Sequence, residues 1–314
     1  MSATLAHCLE VCAAAVKPRR ALTVSQWADE HRELSGKQSG ERGRWRTSRN
    51  PMLREIMDSM SSNSRVSDIW IMKSSQVGVT EATVNFLGYT FDHSPAPVMV
   101  LMPTLDARDA WKAQKLNPLL QETPVIRDLL GGQRSRDAAN SKDMIDFPGG
   151  VLFLSGGNSP NSYAQRSVRY LIMDDLDRFP SEVGEEGDPV SLAKGRTKAF
   201  PRAKRVFIST PTVAGESLIE RGWNLSDQRR YHVPCPHCGQ LQHLEWGGPE
   251  CEHGIKFKGD DDALEALYIC AHCHREIFEH HKPNMLAHGD WTVSYTHLRA
   301  HETDSYLVCR LLLE

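Results

Sequence analysis

Three apolar runs, each breaking off into a polar turn, constrain this chain most. Val66-Ser-Asp-Ile-Trp-Ile-Met72 runs into Lys73-Ser-Ser-Gln-Val-Gly-Val-Thr80, Tyr170-Leu-Ile-Met173 into Asp174-Asp175, and Arg205-Val-Phe-Ile-Ser209 into Thr210-Pro211. Between them, 80–91 and 106–114 read as helices, while 97–102 and 151–154 read as further apolar strands. Short apolar strands separated by helices predict an α/β fold with a mainly parallel sheet covered on both faces. Upstream, a short helix is expected over Val24–His31, and Pro51 opens another that runs through Met60.

The 73–80 loop lies between a strand and a helix, where backbone N–H groups and a helix N-terminus can cradle phosphates. Gly78 and Thr80 stand at the second-glycine and hydroxyl positions of a Walker A loop, but Val79 stands where its lysine belongs. Lys73, at the front of the loop, is the replacement cation, and Ser74, Ser75, Gln76, Val77 and Val79 complete the cradle. At the second strand end, Asp174 has the place of a Mg²⁺-holding acid and Asp175 that of the acid polarising a water. Ser209 and Thr210 then have the place of hydroxyls that sense a γ-phosphate. Each turn alone also reads as an ordinary loop; the three in this order point to ATP with Mg²⁺.

After Trp223 the composition shifts to Cys, His and Gly, which marks a domain boundary. Cys235-Pro-His-Cys238 and Cys270-Ala-His-Cys273 form C-x2-C-x31-C-x2-C, a spacing for four thiolates around a structural Zn²⁺, with a hairpin filling the spacer. A redox reading of the two pairs is the alternative. Cys251, His253, His237, His272 and His274 are substitutes of lower rank, expected beside the metal rather than on it. Cys8 and Cys12 read as small apolar residues on a helix face.

A net charge of −3 excludes a globally basic nucleic-acid binder, so any grip on DNA rests on local patches. Arg196, Lys198, Arg202, Lys204 and Arg205 form one such patch, suited to phosphates and blind to base sequence. No window approaches eighteen uninterrupted apolar residues, so no membrane span is expected. The acidic Glu10 and the lack of a basic n-region make a poor signal peptide.

On Arg44-Trp-Arg-Thr-Ser-Arg-Asn-Pro51, the 73–80 loop, Arg169–Pro180, Ser209-Thr-Pro211 and Val233–Gly239, the chain resembles the large subunit of tailed-phage DNA-packaging terminases, lambda-type branch. That branch carries a deviant Walker A with its lysine at the front, matching Lys73 and Val79. The resemblance covers roughly residues 23–292 and implies a RecA-like ATPase that drives double-stranded DNA into a capsid. It implies phosphate and Mg²⁺ binding by Lys73, Gly78 and Thr80, a Walker B acid at Asp174, a catalytic acid at Asp175, and coupling through Ser209 and Thr210. Its partners would be DNA, a small terminase subunit, the capsid portal and further copies of the chain, in a host bacterial cytoplasm. Trp45 is expected near the adenine, and Arg166 as an arginine finger, in cis or onto a neighbour.

Two departures matter. Asp175 stands where the family usually has Glu, which shortens the reach to a water. The family's C-terminal nuclease domain is expected to be missing. Residues 1–22 read as a lead that could meet a partner, 23–223 as the ATPase domain and 224–292 as a zinc-ribbon-like module. The segment from 293 to 314 breaks the preceding pattern, resembles translated adapter read-through and is expected to be non-native. Two rival functions stand beside the motor: a helicase-like ATPase, and a non-catalytic zinc-bearing scaffold that binds nucleic acid or protein.

Overall fold

The computed structural model describes residues 20–293 apart from 37–39, 41, 132–142, 165, 249 and 260–264, together with the backbone of 308–313. Cys8 and Cys12 lie outside the described residues, as does most of the 1–22 lead. The helices are α1 (Val24–His31), α2 (Leu53–Met60), α3 (Val79–Asp92), α4 (Leu105–Trp111), α5 (Asn117–Glu122), α6 (Pro124–Gly131), α7 (Pro189–Gly195), α8 (Leu218–Asn224) and α9 (Lys282–Ala287). The first strands are β1 (Glu33–Leu34), β2 (Gly43–Arg44), β3 (Asp68–Lys73), β4 (Val98–Met102), β5 (Met144–Phe147), β6 (Gly150–Gly156), β7 (Tyr170–Met173) and β8 (Lys204–Ser209). Beyond α8 follow β9 (Arg229–Pro234), β10 (Leu241–His243), β11 (Gly254–Lys258), β12 (Glu265–Ile269), β13 (Glu276–Ile277), β14 (Asp290–Val293) and β15 (Val308–Leu313).

The order β3-β8-β7-β4-β6 is parallel throughout, with β5 antiparallel on its far edge. Alternation along each strand divides the apolar residues between two faces. Ile69, Ile71, Val98, Val100, Ile172, Val206 and Ile208 join one core, and Trp70, Met99, Leu101, Leu171, Met173 and Phe207 join the other. Eleven of the 14 residues of α3 are buried, so this helix must lie inside the first layer, between the sheet and α1, α2 and α6. Contact with α1 is possible because position 88 is glycine: a Cβ there would stand 2.2 Å from the Trp27 ring.

The expected strands recur within two residues of their places, because a two-faced apolar run has few other solutions. The helix expected over 106–114 instead ends at Trp111 and continues as a π-helical turn, Lys112–Leu116. Strand β5, with its polar Asp146, was not foreseen. The 293–314 segment, set apart from the fold on sequence grounds, contributes β15, parallel to β3 and also paired with β9. An open edge of β3 presents unpaired N–H and C=O groups to any strand-forming run. Val-Cys-Arg-Leu-Leu-Leu at 308–313 is such a run.

Beyond α8 the chain builds a smaller unit. Strand β9 pairs antiparallel with β10 and β14, while β11 and β12 form a hairpin joined by β13. Its core contains Val233, Cys235, Tyr268, Cys270, Ile277 and Met285, a set separate from the two cores of the large sheet. None of the described helices is long and apolar enough to cross a membrane.

Candidate functional site

The loop after β3 turns through two left-handed residues, Gln76 at φ 60° and Gly78 at φ 86°. Gly78 is the N-cap of α3, so the unpaired N–H groups of the first turn of α3 open onto the loop. Asn50 donates its amide N–H to the Val77 carbonyl at 3.0 Å and fixes the loop from outside. The resulting cleft, about 510 Å³, is lined by Lys73, Gln76, Val77, Gly78, Val79, Thr80, Glu81, Lys115 and Gly40. Val79 is 1% exposed and belongs to the main core, so its side chain serves packing and a lysine there would be forced inside. The cation at the front of the loop is the physical alternative.

Although β8 separates β3 from β7, the Thr80 hydroxyl donates to an Asp174 carboxylate oxygen at 3.4 Å. Asp174 is 3% exposed, and its other oxygen accepts the Asp175 N–H at 3.1 Å. Burial, reinforced by the neighbouring Asp175 charge, pushes the Asp174 carboxyl up to about 6, while the Lys73 ammonium, the Asp175 N–H and the Thr80 hydroxyl pull it down. Lys73, Thr80, Asp174 and Asp175 therefore act on one another across two strands. A buried carboxylate beside a hydroxyl is an oxygen donor set that suits a hard cation such as Mg²⁺. Asp175 itself is held in the left-handed region at φ 56°, an uncommon backbone for a non-glycine residue.

Ser209 is 2% exposed; its hydroxyl accepts the Asp177 N–H at 3.0 Å and donates to the Thr210 carbonyl at 3.1 Å. It ties the ends of β7 and β8 together, while Thr210 is exposed. Two expected site residues are placed elsewhere. Trp45 is buried in the main core, its indole N–H donating to Thr47 at 3.0 Å, because the residues on either side of it, Arg44 of β2 and Thr47, bond back to Asp29 and Glu30 of α1. It does not line the cleft. Arg166 stacks its guanidinium over Phe153 of β6, 4.6 Å from the ring centroid. Since β6 is four strands from β3, at about 4.8 Å each, Arg166 stands roughly 19 Å away along the sheet, outside the cleft of its own chain.

The basic patch is partly spent on structure. The Lys204 ammonium is buried and donates to the carbonyls of Ser64 (2.7 Å) and Val66, and Arg205 pairs with Asp68, which also holds Lys194 at 2.5 Å. Sequence reasoning missed Glu81 and Lys115 in the cleft and Asn50 behind its loop. Glu81 holds the Lys115 ammonium at 2.8 Å and the buried Arg32 at 3.3 Å, a network over residues far apart in sequence that leaves no local pattern.

In the smaller unit, the Sγ atoms of Cys235, Cys238, Cys270 and Cys273 lie within 4.8 Å of one another, with Cys235–Cys273 at 3.8 Å and Cys238–Cys270 at 4.0 Å. Zn–S bonds of about 2.3 Å at tetrahedral angles place sulfurs about 3.8 Å apart, so the four thiols fit the ion. Each pair sits on a tight turn closed by a left-handed residue, Gly239 or His274. Burial pushes the Cys270 thiol up, but N–H donors from Cys273 and His272 and neighbouring thiols outweigh it and bring it down to about 6. His237 and His272 instead contact the carbonyls of Glu276 and Leu241. Cys251 lies against His253 (3.7 Å), which pairs with Glu245 at 3.0 Å; neither joins the four-thiol cluster.

Residues 39–291 match the family described as phage terminase large subunit gpA, ATPase domain. The large terminase subunit of Escherichia phage lambda is 30% identical over 254 residues, 80% of this chain and 39% of its own length. That of Enterobacteria phage P21 is 30% identical over 255 residues, with the same coverage. Among solved structures, the large terminase of a thermophilic bacteriophage is similar at TM-score 0.36 and 16% identity, over 52% of this chain and 38% of that one. The large-terminase ATPase domain of Thermus phage P74-26 is similar at TM-score 0.39 and 13% identity, over 56% and 69%. The chain spans about two fifths of its curated relatives. With the family model matched over most of its length, the chain belongs to the phage terminase large subunits of the gpA type.

Proposed function

We propose that this chain is the ATP-hydrolysing motor part of a DNA-packaging terminase. The observation that carries the reading is the meeting of the Thr80 hydroxyl, the buried Asp174 carboxylate and the Lys73 charge at the mouth of one phosphate-sized loop. Lys73 and the backbone of 74–80 hold the triphosphate, and Thr80 with Asp174 holds Mg²⁺. Mg²⁺ held there would offset the negative charge of the phosphates. Asp175 orients and polarises the attacking water, acting by position and electrostatics rather than covalent chemistry. Its side chain is one methylene shorter than Glu, so a slow turnover follows unless the backbone at φ 56° restores the reach.

Ser209 and Thr210 serve as the coupling element, since the Ser209 hydroxyl already bonds the acidic turn. Trp45 supports the adenine side only by packing, and Arg166 reaches a nucleotide only on a neighbouring copy of the chain. Cys235, Cys238, Cys270 and Cys273 hold a structural Zn²⁺ with no open position for catalysis. DNA, a small terminase subunit, a capsid portal and further copies of the chain are the partners, met in the host bacterial cytoplasm. Lys73→Ala tests the reading: ATP binding and turnover disappear while zinc content stays unchanged. Unaltered nucleotide binding in that variant would leave the zinc-bearing scaffold as the better account.

A further inference from the structure

One acidic side chain outside the nucleotide cradle holds three segments together. Asp177 lies on the 3₁₀ turn Leu176–Arg178, directly after Asp174 and Asp175. Its N–H donates to the Ser209 hydroxyl at 3.0 Å. One carboxylate oxygen accepts the Thr212 N–H at 3.0 Å and the Thr212 hydroxyl at 3.2 Å, and the other accepts the Ile219 N–H, in the first turn of α8, at 2.9 Å. The acidic turn, the segment after β8 and α8 are thus bonded through a single residue.

Helix α8 has a second hold on the nucleotide strands. Gly222 is pressed against Trp70 of β3, where a Cβ would stand 1.9 Å from the ring, and Trp70 stacks on Phe207 of β8 at 4.2 Å. Shortly after α8 the chain enters β9, whose end leads into Cys235. A displacement of the acidic turn has a direct route outward through the Asp177 carboxylate, α8, β9 and the cysteine knuckles, alongside the pairing of β3 to β9 through β15. A chain of packed and hydrogen-bonded elements of this kind can carry coupling between two sites.

We propose that Asp177 is a positioning residue that locks α8 to the acidic strand end, so that nucleotide state at Asp174 and Asp175 is transmitted to the cysteine unit. This rests on the nucleotide reading above. The test is amide hydrogen exchange of the whole chain with Mg²⁺ and either ADP or a non-hydrolysable ATP analogue, for wild type, Asp177→Asn and Thr212→Val. The NH2 group of Asn accepts no hydrogen bond, so the substitution loses either the Thr212 or the Ile219 side of the carboxylate, and Thr212→Val removes one hydroxyl donor alone. In wild type, exchange should differ between the two nucleotides at 73–80 and at 211–234. In Asp177→Asn the difference at 73–80 persists, while that at 211–234 shrinks about fivefold or more. Thr212→Val gives an intermediate loss, and decides alone if Asp177→Asn does not fold. Steady-state turnover of Asp177→Asn, taken per nucleotide-binding site so that an unfolded fraction is not counted, falls in kcat with KM for ATP unchanged. A full response at 211–234 in both folded variants, or none there in wild type beside a clear one at 73–80, overturns the strut. No response at 73–80 in wild type overturns the nucleotide site as well.

Discussion

Replacing Asp174 by Asn should make the nucleotide-free protein more stable and abolish ATP turnover. At neutral pH the Asp174 carboxylate is ionised in a place that is 3% exposed and beside Asp175. Burial raises it from the ordinary 3.8 to about 6. At about 1.4 kcal/mol per pH unit, the ionised form costs the fold about 3 kcal/mol, an upper figure for the gain on neutralisation. Asn keeps the shape, still accepts the Asp175 N–H and offers its amide to Thr80. The sign fixes the pH window. Since the folded value lies above the unfolded one, the penalty is fully present above about pH 6 and vanishes below 3.8. Denaturant unfolding of both proteins between pH 4 and 8 therefore shows Asp174→Asn ahead by about 2–3 kcal/mol at pH 7–8, with the curves converging towards pH 4. Mg²⁺ with a nucleotide should stabilise wild type and not the variant. A variant that is less stable across the range, or ahead by a margin independent of pH, would refute the burial argument.

Moving the lysine back to its usual place should fail: in Lys73→Ala/Val79→Lys, ATP turnover stays absent and stability drops by several kcal/mol, measured by denaturant melts, because position 79 is 1% exposed. Stripping metal with a strong chelator should release one zinc per chain and raise exchange throughout 229–293, while Mg²⁺–ATP still protects 73–80. Gly222→Ala should cost about 1–3 kcal/mol in thermal unfolding, since its Cβ would enter the Trp70 ring.

The large sheet was legible because its signal is local. A fully buried strand such as Tyr170–Met173 is apolar at every position, and its end is marked by the acids that follow. The cysteine pairs were legible for a similar reason, since a knuckle is a four-residue turn. Three things were not. Trp45 sits in a basic stretch that looks solvated, yet the stretch folds onto α1 and buries the ring. Arg166 is eight residues before Asp174, but the chain crosses the sheet in that interval and leaves it over β6. Lys204 and Arg205 look like surface charge and instead satisfy carbonyls and Asp68 at the opposite ends of the strands.

The sequence by itself determined which chemistry stands at the end of each strand: a displaced ammonium, a pair of acids, a hydroxyl pair and four thiols in two turns. These depend on residues close together in the chain, where spacing and polarity are enough. Only the tertiary structure decided that β8 lies between β3 and β7, which brings Thr80 to Asp174 and turns Asp177 towards α8. Such meetings join residues tens of positions apart. They are set by how the two apolar faces of the sheet are covered, a collective outcome of packing that no single stretch of sequence encodes.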